Sequence, residues 1–178
     1  MALSIAAAFF CSVVPAMAQA TAPPLGTVRQ FGALGGAGVT GSTGVGTSIN
    51  GDVGSSPTAS ITNFPPSSTM APYIVHFTND SVVQQAHLDA ITAYNNLFAQ
   101  GTGAGATALG PQLTGLTLGP GVYRIAAAAD LAAGGILTLN DPTGSGIFVF
   151  SVGTSLTANV LSSVGGTANP CNVFWQVG

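Results

Sequence analysis

Chemistry at neutral pH needs ionisable or nucleophilic side chains held in pairs, and this sequence has few to pair. It contains no glutamate and no lysine; Arg29, Arg124, Asp52, Asp80, Asp89, Asp130 and Asp141 carry all the side-chain formal charge. The aspartates are spread through turns and one helical stretch, so paired carboxylates for glycoside hydrolysis are lacking. Asp52 and Asp141 lie in Gly- or Pro-rich turns, where an Asp side chain normally bonds its own backbone. No GxSxG elbow, HExxH pair or CxxC occurs. His87 falls on the apolar side of the helical stretch and reads as a core-edge histidine bonded to backbone, while His76 has no second ligand at useful spacing. The run 36–41 matches GxGxxG but opens no helix, so it reads as turns rather than as a nucleotide loop. Cys11 sits in an apolar leader, and Cys171 is expected to be a small buried apolar residue. No catalytic, cofactor-binding or metal site is assigned, and the chain reads as a non-enzyme.

What remains is a pattern of hydroxyls. Thr40-Gly41-Ser42-Thr43 and Thr114-Gly115-Leu116-Thr117 share Thr-Gly-x-Thr, and Ser155-Leu156-Thr157 sends two hydroxyl side chains to the face opposite Leu156. Stacked on neighbouring strands, such residues would form a flat lattice, which makes Thr40, Ser42, Thr43, Ser155 and Thr157 the candidate surface; the alternative is that Thr is simply a good outward strand residue. Charged residues make up 4% of the chain, against about 25% in an ordinary domain. Two arginines cannot neutralise a phosphate backbone or hold an anionic membrane, so nucleic-acid and polybasic lipid partners are excluded. With 47% hydrophobic residues, the polar remainder suits the surface of a rigid fold better than a disordered chain.

One element must position this surface. Residues 81–100 alone repeat apolar residues at helical spacing: Val83, Ala86, Ala90, Ile91, Tyr94, Leu97 and Phe98 share a stripe, with Ser81-x-x-Gln84 as a capping box and Gly101 as the stop. A helix of this length with one apolar stripe needs a flat apolar surface to dock on. The rest is short, extended and broken by turns, with expected strands at 28–34, 39–43, 47–53, 73–77, 116–118, 122–124, 136–139, 147–151, 156–158 and 173–177. Corners this close suggest a sandwich or a triangular solenoid, and one long helix fits the flank of a solenoid better. No internal period is visible. Residues 1–20 read as a secretory signal with small residues at Ala16, Ala18 and Ala20, followed by one domain over 21–178 and a location outside the cell, in a periplasm or on the cell surface. Asn79-Asp80-Ser81 is formally a glycosylation sequon.

Several blocks, in order, resemble the secreted microbial ice-binding proteins, a family built as a discontinuous β-solenoid with one flanking helix. They are Leu25-Gly26-Thr27 with Phe31-Gly32-Ala33-Leu34, Ile49-Asn50-Gly51-Asp52-Val53-Gly54-Ser55-Ser56-Pro57, Phe64-Pro65-Pro66, Ala93-Tyr94-Asn95 within the helix, Leu118-Gly119-Pro120-Gly121-Val122-Tyr123, Gly146-Ile147-Phe148-Val149-Phe150, and Cys171-Asn172-Val173-Phe174-Trp175-Gln176-Val177-Gly178. The resemblance implies a right-handed parallel β-solenoid and adsorption to ice through a flat Thr/Ser face, with no cofactor. An extracellular surface or adhesive module on the same scaffold is the alternative. It also implies that family chains continue beyond the Trp-Gln-Val-Gly block, so this chain is expected to be incomplete at its C-terminus and to self-associate through an open solenoid end.

Overall fold

Segments of two to five extended residues cannot stand alone, because each strand needs a neighbour for its backbone groups. In this computed structural model, which describes residues 19–178, they find those neighbours by coiling. Strands β1 (Phe31–Gly35), β2 (Val39–Thr40) and β3 (Ser48–Ile49) make one triangular coil, and β4 (Asp52–Ser55), β5 (Ile61–Thr62) and β6 (Ser68–Thr69) make the next. Each strand pairs in parallel with its counterpart: β1 with β4, β2 with β5, β3 with β6. Helix α1 (Ser81–Thr102) and strands β7 (Thr107–Leu109) and β8 (Thr117–Leu118) follow. Two further coils are β9 (Gly121–Ile125), β10 (Ala129–Leu131), β11 (Ile136–Leu139) and β12 (Phe148–Val152), β13 (Leu156–Ala158), β14 (Ser163–Gly166), with β15 (Val173–Val177) last. Their parallel sheets run β15-β12-β9-β7 on the first side, β10-β13 on the second and β14-β11-β8 on the third. The fold is a parallel β-solenoid with one flanking helix.

Alternation fills the coils. Tyr123, Ile125, Phe148, Phe150, Val152, Leu137 and Leu139 point inward and are buried. On the first side one ring per coil stacks on the next: Tyr123 on Phe150 at 5.3 Å and Phe150 on Trp175 at 4.1 Å between centroids. Most outward residues of this side are buried too, because α1 covers them; Val122 and Val149 meet Leu97 and Ala20, while Arg124 stays exposed. Among the described residues no sheet contains strands from both groups of coils, whereas α1 packs on β1 of the first group and on β9, β12 and β15 of the second.

The helix begins where its sequence indicates but is capped differently. Asp80, not Ser81, is the N-cap, its carboxylate accepting from the Val82 and Val83 amides, while the Gln84 amide donates to the Asn79 carbonyl. Gly101 is not the stop: the helix runs to Thr102, with Gly101 buried inside it. The docked stripe is Val83, Ala86, Ala93, Leu97 and Gly101, so Ala93 and Gly101 replace Ile91, Tyr94 and Phe98, which are exposed by 45%, 42% and 51%. Small residues face the sheet because the helix lies close to it. Ala90 and His87 are half-buried at the margin.

Other expectations shift with the coil geometry. Residues 26–30 form a 3-10 turn before β1, and the stretch 47–53 is two strands folded at Asn50-Gly51, where Gly51 has φ 151°. Strands β5, β6, β7, β10 and β14 were not expected from alternation. Cys171 is exposed, because it sits in a short turn capped by the Asn169 side chain. Asp52 lies buried on β4 rather than in a turn, whereas Asp141 does bind its own turn. There the Thr143 hydroxyl, with the Gly146 and Thr143 amides, holds the Asp141 carboxyl below the usual carboxylate range. The leader expected over 1–20 lies, up to residue 18, outside the described residues.

Candidate functional site

On a solenoid strand successive side chains point in and out, so a row of outward residues forms wherever registers align. The second side shows this in both groups of coils. On β2 and β5, Val39 and Ile61 are half-buried and Thr40 and Thr62 are exposed, with Thr40 opposite Thr62. The Thr62 hydroxyl donates to the Thr40 hydroxyl at 3.0 Å, which fixes both rotors in one row. On β10 and β13, Ala129 and Leu131 are buried, Leu156 is partly buried, and Asp130 and Thr157 face outward opposite each other. Gln112, bridged in parallel to Asp130, extends this row.

Asp130 puts a carboxylate in the middle of the surface, but each oxygen is occupied. Gln112 Nε2 donates to Oδ2 at 3.0 Å and Asn159 Nδ2 donates to Oδ1 at 2.8 Å. The row is therefore amide, carboxylate and hydroxyl rather than threonine throughout. None of the large hydrophobic side chains that stand exposed elsewhere lies on β2, β5, β10 or β13. The third side also presents hydroxyls, with Thr117 opposite Thr138 and Ser48 opposite Ser68, but Ile136 on β11 protrudes with 52% exposure. The first side is covered by the helix.

The structure thus brings Thr40 and Thr157 to equivalent positions, each on the second strand of its coil. Ser42 and Thr43 are exposed in the bend after β2, where Ser42 Oγ accepts from the Gly44 amide at 3.4 Å, and Ser155 is exposed at the corner before β13. The two Thr-Gly-x-Thr motifs do not share a side. Thr114 turns its hydroxyl to the Ala132 amide and Thr117 belongs to the third side. Thr62, Gln112, Asp130 and Asn159 were missed. Thr62 follows Thr40 by 22 residues, the same offset that joins Asn63 to Gly41 and Ile74 to Asp52. In the second group comparable contacts span 26 to 29 residues, so one constant period would not have found both. Among the described residues no group of three His, Cys, Asp or Glu side chains is placed to hold a metal.

Comparison with known proteins agrees with this architecture. Residues 33–178 match the family model described as ice-binding-like. An ice-binding protein of Nostoc sp. (strain HG1) is 39% identical over 181 aligned positions, which take in 99% of this chain and 63% of the relative, so the chain spans less than two thirds of that protein. The crystal structure of an ice-binding protein from an Antarctic biological consortium superposes with TM-score 0.80 at 34% identity, covering 94% of this chain and 74% of that one. That of the Antarctic ascomycete Antarctomyces psychrotrophicus superposes with TM-score 0.77 at 36% identity, covering 89% of this chain and 75% of its own. The chain belongs to the ice-binding-like family.

Proposed function

We propose that this protein adsorbs to ice through the second side of its solenoid and thereby inhibits recrystallisation. The observation that carries the reading is the Thr40–Thr62 row, two outward threonines in register and bonded to each other, on strands that carry no protruding apolar side chain. Parallel strands set such rows about 4.8 Å apart, and same-face residues along a strand about 6.7 Å apart, the scale of an oxygen lattice in ice. At Thr40, Thr62 and Thr157 threonine supplies a methyl and a hydroxyl, and a coil backbone prevents these points from moving. Adsorption of this kind makes and breaks no covalent bond. Because contact is a matter of fit, one large side chain should hold the whole plane away from the crystal.

The test is recrystallisation inhibition by wild type and by Thr40→Tyr, Thr62→Tyr and Thr157→Tyr, with Thr117→Tyr on the third side as control. Loss in the first three at unchanged melting temperature, with activity kept in the fourth, is expected. Activity lost only in the control would move the surface to the third side. An inactive wild type would favour the alternative of a surface or adhesive module on the same scaffold.

Export belongs to the same proposal, supported by an apolar leader ending in small residues. Ala20 is buried against Leu97, Val122 and Val149, and Thr21 exchanges two hydrogen bonds with the Gln100 side chain. Cleavage after Ala18 would keep these contacts, whereas cleavage after Ala20 would remove a core residue. The expected mature chain begins at Gln19.

A further inference from the structure

A buried histidine lies outside the proposed surface. His76, whose side chain is 6% exposed, sits in the turn that leads from the first group of coils into the helix. Its backbone lies beside β4: the Val53 amide donates to the Ile74 carbonyl and the His76 amide to the Val53 carbonyl. Phe31 of β1 stacks on one face of its ring at 5.4 Å. The ring nitrogens face two carboxylates from two different elements. Nδ1 is 2.8 Å from Asp80 Oδ2 at the helix N-cap, and Nε2 is 3.6 Å from Asp52 Oδ2 on β4. These are the only acidic groups in ion-pair range of the ring among the described residues.

The two contacts make different demands on the ring. A neutral imidazole carries one N–H, and the Asp80 contact places it on Nδ1. Nε2 is then a buried lone pair, without a hydrogen-bond partner, turned toward a carboxylate. A second proton converts that contact from repulsive to attractive and leaves the Asp80 contact in place. The other oxygen of Asp52 already accepts from the Ile74 amide at 2.8 Å, so the carboxylate cannot swing away without releasing the backbone of the turn.

We propose that Asp52, His76 and Asp80 form a proton-held clamp that fastens the turn before the helix to β4 and loosens when the imidazolium loses its second proton. The clamp is thus a pH-sensitive joint between the first coils and the helix, independent of ice adsorption. The Asp80 end opposes loosening from the acid side. Its hydrogen bond from His76, with the Val83 and Val82 amides, holds the Asp80 carboxyl below the usual range, so that contribution is present at neutral pH and is lost only as pH falls through the folded carboxyl's own titration. The His76 contribution has the opposite sign. The attraction between a protonated Nε2 and the Asp52 carboxylate is present in acid solution and is lost when that proton leaves.

Hydrogen exchange at pH 5.5 and 8.5, corrected for intrinsic rates, reads the joint directly. In wild type the protection of the Val53, Ile74 and His76 amides is expected to fall several-fold at the higher pH relative to that of Leu97 in the helix. His87→Gln should keep this fall and His76→Gln should lack it. Asp52→Asn should lack it too while staying protected at both pH values, because the amide can keep its oxygen on Ile74 and turn its NH2 to the Nε2 lone pair. Nitrogen-15 spectra of the wild-type imidazoles provide a readout that needs no variant: both nitrogens of His76 should be protonated at pH 5.5, and Nε2 should lose its proton as protection falls. A single protonated nitrogen at pH 5.5, protection unchanged with pH, or the same fall in His76→Gln would overturn the proposal.

Discussion

Replacing Gly101 with alanine sets two effects against each other, and the structure says which is larger. In an exposed helix, Gly→Ala stabilises by about 0.5–1 kcal/mol, because the unfolded chain loses freedom. Gly101 is buried in the last turn of α1, however, and a Cβ there would fall on Ser151 Cβ and within 2.6 Å of its Oγ. Ser151 cannot retreat. It lies on β12, held by ladders to β9 and β15 on either side, and its hydroxyl donates to Gln176 Oε1 at 2.6 Å in a buried contact. Overpacking against backbone that cannot move costs about 1–3 kcal/mol, so the net change should be a loss of about 1–2 kcal/mol. For a domain of this size each kcal/mol shifts the melting temperature by about 2–4 °C, which predicts a fall of about 2–8 °C in calorimetry. Ser151→Gly will be destabilising on its own, yet adding Gly101→Ala in that background should be neutral or stabilising, since the obstructing Cβ is gone. A Gly101→Ala protein that melts at or above wild type would falsify the close approach of helix and sheet.

Two further outcomes follow from the same docking. Ala93→Asp should unfold the protein or cost several kcal/mol, because Ala93 is 6% exposed and the new charge would have no partner, whereas Thr92→Asp on the exposed face should change the melting temperature little. Intact mass of material recovered from the medium should correspond to a chain beginning at Gln19; a start at Thr21, or a retained Met1, would contradict the proposed processing.

The helix was legible because twenty residues at one period outweigh any single substitution, but its docked face was not read correctly. Hydropathy gives weight to Ile91, Tyr94 and Phe98, whereas a helix lying close to a sheet selects small residues such as Ala93 and Gly101, which hydropathy discounts. The solenoid was inferred from closely spaced corners and from family-like blocks rather than from strands, since pairs such as Ile61–Thr62 or Ser68–Thr69 are too short to show alternation. Thr40 and Thr157 could be singled out from local pattern. Thr62 and Asp130 could not, because their neighbours in space are a whole coil away and coil length differs between the two groups. The same distance hid the partner of His76: Asp80 lies four residues on, but Asp52 reaches it only through the pairing of β4 with the turn.

Among the described residues no ladder joins the two groups of coils, and this bears on how the protein melts. In an uninterrupted solenoid each repeat is coupled to the next, and unfolding spreads along the stack like a one-dimensional lattice. Here that lattice has a gap, and α1 is the link that the two segments share. Helix docking therefore sets the cooperativity of the described domain as well as part of its stability. A substitution that merely weakens the docked stripe lowers one transition, whereas one that detaches the helix should let the Phe31–Thr69 coils and the Gly121–Val177 coils melt as separate calorimetric units.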